Sequence, residues 1–233
     1  MNSIITGASK GFGRAIAEKF ASAGHNLFIC SRNGNALSLA KQELEAKFPG
    51  IAIHAKSFDL SEKREAQNFG SWVLGFGGSI DILVNNAGQF LPGSISGEPE
   101  GALETMIGVN LYSAYHLTRI LLPKMIGQKS GHIFNICSIA SLQAYANGGS
   151  YGISKFALAG FSKNLREEMK PHGIKVTALY PGAAFTDSWA GSGVDPLRIM
   201  EAGDIAEMIY AASRLSPQAT VEDIVLRPQL GDL

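Results

Sequence analysis

The sequence predicts a doubly wound α/β fold, a mostly parallel seven-stranded sheet with helices on both faces. Three observations carry this. Short apolar or β-branched runs alternate with longer helical patterns almost from end to end. The short runs are continuously apolar rather than alternating, as in strands covered on both faces. Glycine and proline breakers fall between the elements, and the right-handed crossover rule then winds the chain outward in both directions.

The predicted strands are Ser3–Thr6, Leu27–Cys30, Ile51–Phe58, Ile82–Asn85, His132–Cys137, Lys175–Tyr180 and Ile224–Leu226. The predicted helices are Arg14–Ala23, Asn35–Lys47, Lys63–Phe76, Glu100–Ile126, Tyr151–Lys170 and Asp204–Arg214. Gly24 stops the first helix, Pro49 and Gly50 the second, and Pro171 with Gly173 the fifth. No linker, repeat or low-complexity segment interrupts the pattern, so residues 1–233 are expected to form a single dinucleotide-binding catalytic domain. The one long irregular stretch, about 183–203, follows a strand's carboxyl end. Open α/β sheets bind ligands there, so it is expected to be a substrate loop.

Composition excludes several classes of function. The 233 residues carry 45% hydrophobic and 17% charged residues with a formal net charge of zero. There is no basic excess for nucleic acid and no cationic stripe for a membrane surface. No apolar stretch is long enough to span a bilayer, and Met1 leads into Ile4 without a charged leader, so cytoplasmic residence is expected. Cys30 and Cys137 read as buried reduced thiols. With no paired-cysteine motif, and with His25, His54, His116, His132 and His172 scattered, no metal is expected.

Gly7, Ser9, Lys10, Gly11, Phe12 and Gly13 follow Thr6 between the first strand and the first helix. Glycines there permit a tight turn and close backbone approach, and the helix N-terminus offers free N–H groups to a pyrophosphate. The second strand ends at Ser31 and Arg32 with no Asp or Glu to hold a ribose 2′-hydroxyl. Arg32 and Lys10 can bracket a 2′-phosphate with Ser31 donating to it, which predicts NADP(H) over NAD.

Tyr151 and Lys155 lie four residues apart in a predicted helix, so phenol and ammonium share one face. Ser138 closes the fifth strand thirteen residues upstream. These three groups can give a proton to a carbonyl oxygen while a bound cofactor delivers hydride.

From Thr6 to about Thr186 the chain resembles the short-chain dehydrogenase/reductase family in its single-domain Rossmann form. The resemblance rests on the glycine spacing, on Asp59 and Leu60, on Asn85, Asn86, Ala87 and Gly88, and on Asn110. Ser138, Tyr151, Lys155, and Pro181 and Gly182 with Thr186 complete it. It implies a catalytic tetrad of Asn110, Ser138, Tyr151 and Lys155. It implies cofactor contacts from Asp59, Leu60, Asn86, Ala87, Gly88, Tyr151, Lys155, Pro181, Gly182 and Thr186. Lys155 would lower the phenol pKa and hold the nicotinamide ribose, and Asn110 would hold a water linking Lys155 to solvent. A homodimer or homotetramer, paired through the helices at 100–126 and 151–170, is also implied.

The expected activity is NADP(H)-dependent transfer of hydride between the nicotinamide and a small carbonyl or alcohol substrate, of the carbonyl reductase or alcohol dehydrogenase type. The alternatives are a 3-oxoacyl-thioester (acyl-carrier-protein) reductase and a catalytically silent nucleotide-sensing scaffold. The tail from Val221 to Leu233 departs from the acyl-carrier-protein type and resembles members acting on small 3-hydroxy acids, serine-type alcohols or pteridine side-chain ketones. Candidate pocket residues are Gln89, Phe90, Leu91, Ile139, Leu142, Tyr145, Ala184, Phe185, Trp189 and Leu197. None is cationic, and Arg198 is the nearest residue able to pair an anionic substrate.

Overall fold

The computed structural model describes residues 1–186 and 193–232. Seven parallel strands run in the order β3-β2-β1-β4-β5-β6-β9. They are β1 (Asn2–Thr6), β2 (Asn26–Cys30), β3 (Ile53–Ala55), β4 (Ile82–Asn85), β5 (Gly131–Ile136), β6 (Ile174–Pro181) and β9 (Asp223–Leu226). A two-stranded ladder of β7 (Ala184–Phe185) and β8 (Met200–Glu201) lies apart. Strand order reverses between β1 and β4, and this switch point opens a crevice at the strands' carboxyl ends.

Helices cover both faces because neighbouring strand residues point opposite ways. Ile5, Ile29, Val84 and Leu179 pack with Ile16 and Phe20 of α1 (Gly11–Ser22), Leu37 and Leu44 of α2 (Gly34–Lys47), and Ile205 and Ile209 of α7 (Ala202–Ser213). Ile4, Phe28, Leu83, Ile133 and Val176 pack on the opposite face. Their partners are Phe69 and Val73 of α3 (Lys63–Leu74), Leu117 and Leu121 of α5 (Ser113–Gln128), and Leu165 and Met169 of α6 (Gly149–Met169).

The predicted elements are present, with three changes. The strand expected over Ile51–Phe58 pairs only from Ile53 to Ala55, because β2 offers register partners to those residues alone. The helix expected over Glu100–Ile126 divides into α4 (Ala102–Ile107), a single π-turn at Gly108–Tyr112, and α5. The loop expected at 183–203 carries β7, β8 and a 3₁₀ turn at Pro196–Arg198; residues 187–192, including Trp189, lie outside the described residues.

Candidate active site

The glycine turn is shaped for close approach. Gly7 and Gly11 hold φ of +65° and +55°, a region that only glycine enters freely. Gly13 packs against the Gly7 carbonyl, and a Cβ there would also stand 2.5 Å from Asn86 Nδ2. The turn is tied to the end of β4. The Thr6 hydroxyl accepts from the Asn86 and Ala87 N–H groups at 2.9 and 2.8 Å, and Asn86 Nδ2 donates to the Thr6 carbonyl at 2.9 Å. The first strand–helix turn and the Asn86-to-Gly88 segment therefore move as one unit.

A cleft of about 830 Å³ opens above this unit. It brings together Gly7, Ser9, Lys10, Gly11, Phe12, Ser31, Arg32, Asp59, Leu60, Asn86, Ala87, Gly88, Tyr151, Lys155 and Thr186 from the sequence reading. Gln89 and Phe90 line it too. Sequence reasoning did not name Cys30, Asn33, Phe58, Ser61, Ile136 or Cys137 as lining residues. Cys30, Ile136 and Cys137 were findable, since Cys30 and Ile136 end β2 and β5 and Cys137 follows directly, all at the carboxyl edge of the sheet.

Five expected site residues fall elsewhere. Gly13, Asn110, Ser138, Pro181 and Gly182 do not line the cleft. Pro181 is buried as the last residue of β6. Gly182 faces the carboxyl-terminal tail, where a Cβ would stand 2.9 Å from Asp232 Oδ1 and 3.2 Å from Pro228. The Ser31 hydroxyl donates to the Asn33 carbonyl at 3.1 Å, while Arg32 is exposed at the rim.

At the other end, α6 presents Tyr151 in its first turn and Lys155 one turn on, with Nζ 5.9 Å from the phenol ring centre. Lys155 is buried, and its ammonium donates to the Ile136 carbonyl at 2.8 Å, at the end of β5. Ser138 follows in extended conformation, and its hydroxyl hydrogen-bonds Tyr151. Ser138 is itself braced by a reciprocal cap, accepting from Ala140 N while Ser141 Oγ accepts from Ser138 N. Phe90 packs edge-on against Tyr151 with ring centres 4.8 Å apart.

Burial governs the titration of this pair. It pushes the Tyr151 phenol up to about 12, against a hydrogen bond from Ser138 that acts downward. It brings the Lys155 ammonium down to about 8. The expectation that Lys155 sets the phenol below its usual value is not what the chain's own groups produce, because desolvation outweighs them. At neutral pH the phenol is a proton donor beside a cation.

Asn110 sits in the π-turn with only 1% of its surface exposed. Its amide accepts from Gln89 N–H at 2.8 Å and donates to the Gln89 carbonyl at 3.1 Å and to Ser154 Oγ at 2.9 Å. The side chain thus holds the Gln89 backbone and the first turns of α6. Gly88 makes room for this, since a Cβ on it would stand 3.0 Å from Asn110 Oδ1 and 3.6 Å from Lys155 Nζ.

Residues 2–195 match the short chain dehydrogenase family. The chain belongs to that family. Among relatives, a sepiapterin reductase of Chlorobaculum tepidum is 34% identical over 239 residues, covering 99% of this chain and 97% of that protein. The crystal structure of a metagenomic short-chain oxidoreductase in complex with NADP has a TM-score of 0.86 at 31% identity, covering 98% of this chain and 97% of that one. A serine dehydrogenase complexed with NADP+ has a TM-score of 0.90 at 27% identity, covering 100% and 97%.

This short-chain dehydrogenase is thus an oxidoreductase on a Rossmann-type sheet. Among the described residues no group of three or more His, Cys, Asp or Glu is arranged to hold a metal, and no helix is long and apolar enough to cross a membrane.

Proposed function

We propose that this chain is an NADP(H)-dependent oxidoreductase that interconverts a carbonyl compound and its alcohol, with Tyr151 as general acid in reduction and general base in oxidation. One observation carries the reading. Tyr151 and Lys155 line the same cleft as the glycine turn, and Ser138, just past β5, hydrogen-bonds the Tyr151 phenol. The Gly7 and Gly11 backbones, Ser9, Lys10 and Phe12 would receive the pyrophosphate side of a dinucleotide. Asp59 and Leu60 would flank the adenine, and Arg32 with Lys10 would hold a 2′-phosphate. Ala87, Gly88, Tyr151, Lys155 and Thr186, which line the cleft's other end, would receive the nicotinamide side. That two solved structures of similar fold carry NADP supports the phosphate reading.

When bound, the nicotinamide supplies or accepts hydride. The protein's own groups do the rest. The Ser138 hydroxyl positions the substrate oxygen. The neutral Tyr151 phenol hands its proton to that oxygen as charge accumulates on it. Lys155, positively charged at pH 7, stabilises the phenolate left behind. Asn110 is a positioning residue that fixes Gln89 and Ser154 around the pair.

Tyr151→Phe should retain NADPH binding, read by nucleotide fluorescence, and lose about 10²–10⁴-fold in turnover. Turnover within a few-fold of the parent would overturn the mechanism. We also propose a homodimer or homotetramer. Tyr112, Tyr115, Ile153 and Phe156 on α5, α6 and the π-turn between α4 and α5 are large apolar side chains left exposed. Sedimentation showing monomer alone would refute this.

A further inference from the structure

Two segments border the phenol, and a third enters the same cleft. The first follows β4 at residues 89–97, where Phe90 packs edge-on against Tyr151 and the Gly93 N–H donates to the Asn147 carbonyl at 3.1 Å. The second is 139–150, between Ser138 and α6, which includes Leu142 and brings Tyr145 near Tyr151. The third follows β6, where Thr186 lines the cleft beside Gly11, next to the exposed Phe185. Phe90, Leu91, Leu142, Tyr145 and Phe185 each leave between 43% and 45% of their surface exposed, so large apolar surface on these segments stays outside the core, although only Phe90 among them lines the cleft itself. Ala184, also expected there, is 2% exposed and belongs to the core instead.

None of these segments contains a Lys, Arg or His, and in sequence none occurs between residues 183 and 197. Glu98, just beyond the first segment, is engaged by Ser150 at the start of α6, and Asp195 accepts from the Leu197 N–H at 2.9 Å.

Arg198 is the first cation after β6, and its position settles what it can do. Its guanidinium donates to three tail carbonyls, of Gly231 at 3.0 Å, Leu230 at 3.2 Å and Asp232 at 3.4 Å. Arg227 pairs with Asp232 at 2.5 Å. The expectation that Arg198 serves an anionic substrate therefore gives way to a structural role: it holds the tail against the substrate loop. Lys155 is buried against Ile136, and Lys10 and Arg32 sit at the glycine-turn end of the cleft.

We infer that the substrate is an uncharged ketone, or the matching alcohol, that carries an aromatic or other bulky apolar group, and that carboxylates and phosphates are disfavoured. This rests on the hydride-transfer reading above. An anion brought to Tyr151 would lose its water shell without gaining a charged partner from these segments, while the Lys155 ammonium stays turned to the Ile136 carbonyl. A flat apolar group would instead cover Phe90 and Tyr145 beside the phenol, with aromatic edges and faces available to it. Serine, in the name of one similar structure, carries a carboxylate for which these segments provide no cation. An acyl carrier protein, an acidic macromolecule, would meet the same mouth.

The test uses the full chain, NADPH, and two ketones that share a ring and differ in one charge, 4-acetylbenzamide and 4-acetylbenzoate. The amide should exceed the acid by about tenfold or more in kcat/KM. Leu142→Arg, at an exposed position, should narrow the gap by supplying the missing cation. Equal or preferred use of the acid, or NADPH consumption on acidic or small aliphatic ketones alone, overturns the inference and leaves hydride transfer standing. NADPH consumption with neither ketone, nor with any ketone or aldehyde of a wider panel, overturns the hydride-transfer reading itself and the inference with it.

Discussion

Burial disfavours the charged form of both Tyr151 and Lys155, so it moves the phenol up to about 12 and the ammonium down to about 8. Between roughly pH 5 and 8 both therefore hold their protons, the state required to protonate a substrate oxygen and stabilise the resulting phenolate. Lys155 is the first of the two to lose its proton as pH rises. The kcat/KM for carbonyl reduction should accordingly fall through one deprotonation near pH 8, while the phenol remains protonated well beyond it. Lys155→Arg keeps the charge at any accessible pH. Its profile should stay level past pH 9, at a lower absolute rate because the shorter ammonium contact to Ile136 is lost. A wild-type profile level from pH 7 to 10 would contradict the assignment. A second residue-scale prediction concerns Arg32, exposed at the cleft rim on the β2 side. Replacing it with Asp substitutes a ribose-hydroxyl acceptor for a phosphate donor, so the NADPH-to-NADH ratio of kcat/KM should fall by about tenfold to a hundredfold. Steady-state constants with both cofactors decide it, and an unchanged ratio would remove Arg32 from the 2′-phosphate site.

Helix α6 delivers Tyr151 from its first turn, where helices fray and backbone N–H groups lack partners. Glu98, fifty-two residues earlier in the chain, accepts from the Ser150 N–H at 2.8 Å and from the Ser150 hydroxyl. Gly149 leaves room for it with φ of +34°. A carboxylate at this position both caps the helix and opposes its positive end. Glu98→Ala should lower stability by about 0.5–2 kcal/mol and reduce kcat more than KM for NADPH, with Glu98→Gln recovering part of the kcat. Thermal melts and steady-state rates measured together test this; loss of stability with kcat intact would make the contact structural only. The same element shows what was legible in sequence. The Tyr151–Lys155 spacing and the breakers around it locate α6 to within two residues at its start. Glu98 gives no local signal, because a cap supplied across the fold obeys no spacing rule. The π-turn at Gly108–Tyr112 was hidden for a related reason. Its residues fit an ordinary helical pattern, and the extra width answers to Asn110 bonding Gln89 and Ser154, contacts that exist only in three dimensions. The strand expected from Ile51 to Phe58 failed differently, since apolar content there exceeds the length that β2 can pair.

Across the whole molecule, the two ends of the sheet carry different chemistry. The carboxyl ends hold the cleft, and the amino end of β5 buries His132. In sequence this residue was one of five histidines without ligand spacing, yet its burial has a consequence for the entire fold. His132 is 4% exposed, stacked on Phe134 with ring centres 3.9 Å apart. Thr177 donates its hydroxyl to the Val221 carbonyl at 2.6 Å, so it accepts from His132 Nε2 at 2.7 Å, which leaves Nδ1 as a buried acceptor with no partner. Burial brings this imidazole down to about 3, with the nearby Lys175 acting in the same direction. Because the folded value lies below the ordinary 6.5, the unfolded chain binds a proton that the folded chain refuses between those limits. Stability is therefore fully present above about pH 6.5 and declines as pH falls toward 3, by about 1.4 kcal/mol per unit from this group. His25 is shifted downward by burial as well and adds to the slope. Between pH 6.5 and 5 His132 alone accounts for about 2 kcal/mol, or about 4–8 °C in melting temperature for a chain of this size. His132→Gln keeps an amide donor for Thr177 and removes the titrating group. It should melt lower than the parent at pH 7 and lose distinctly less on going to pH 5, with kinetic constants at pH 7 unchanged because the cleft lies at the other end of the sheet. Calorimetric melts of both proteins across that range decide the matter, and parallel declines would show that the acid sensitivity originates elsewhere.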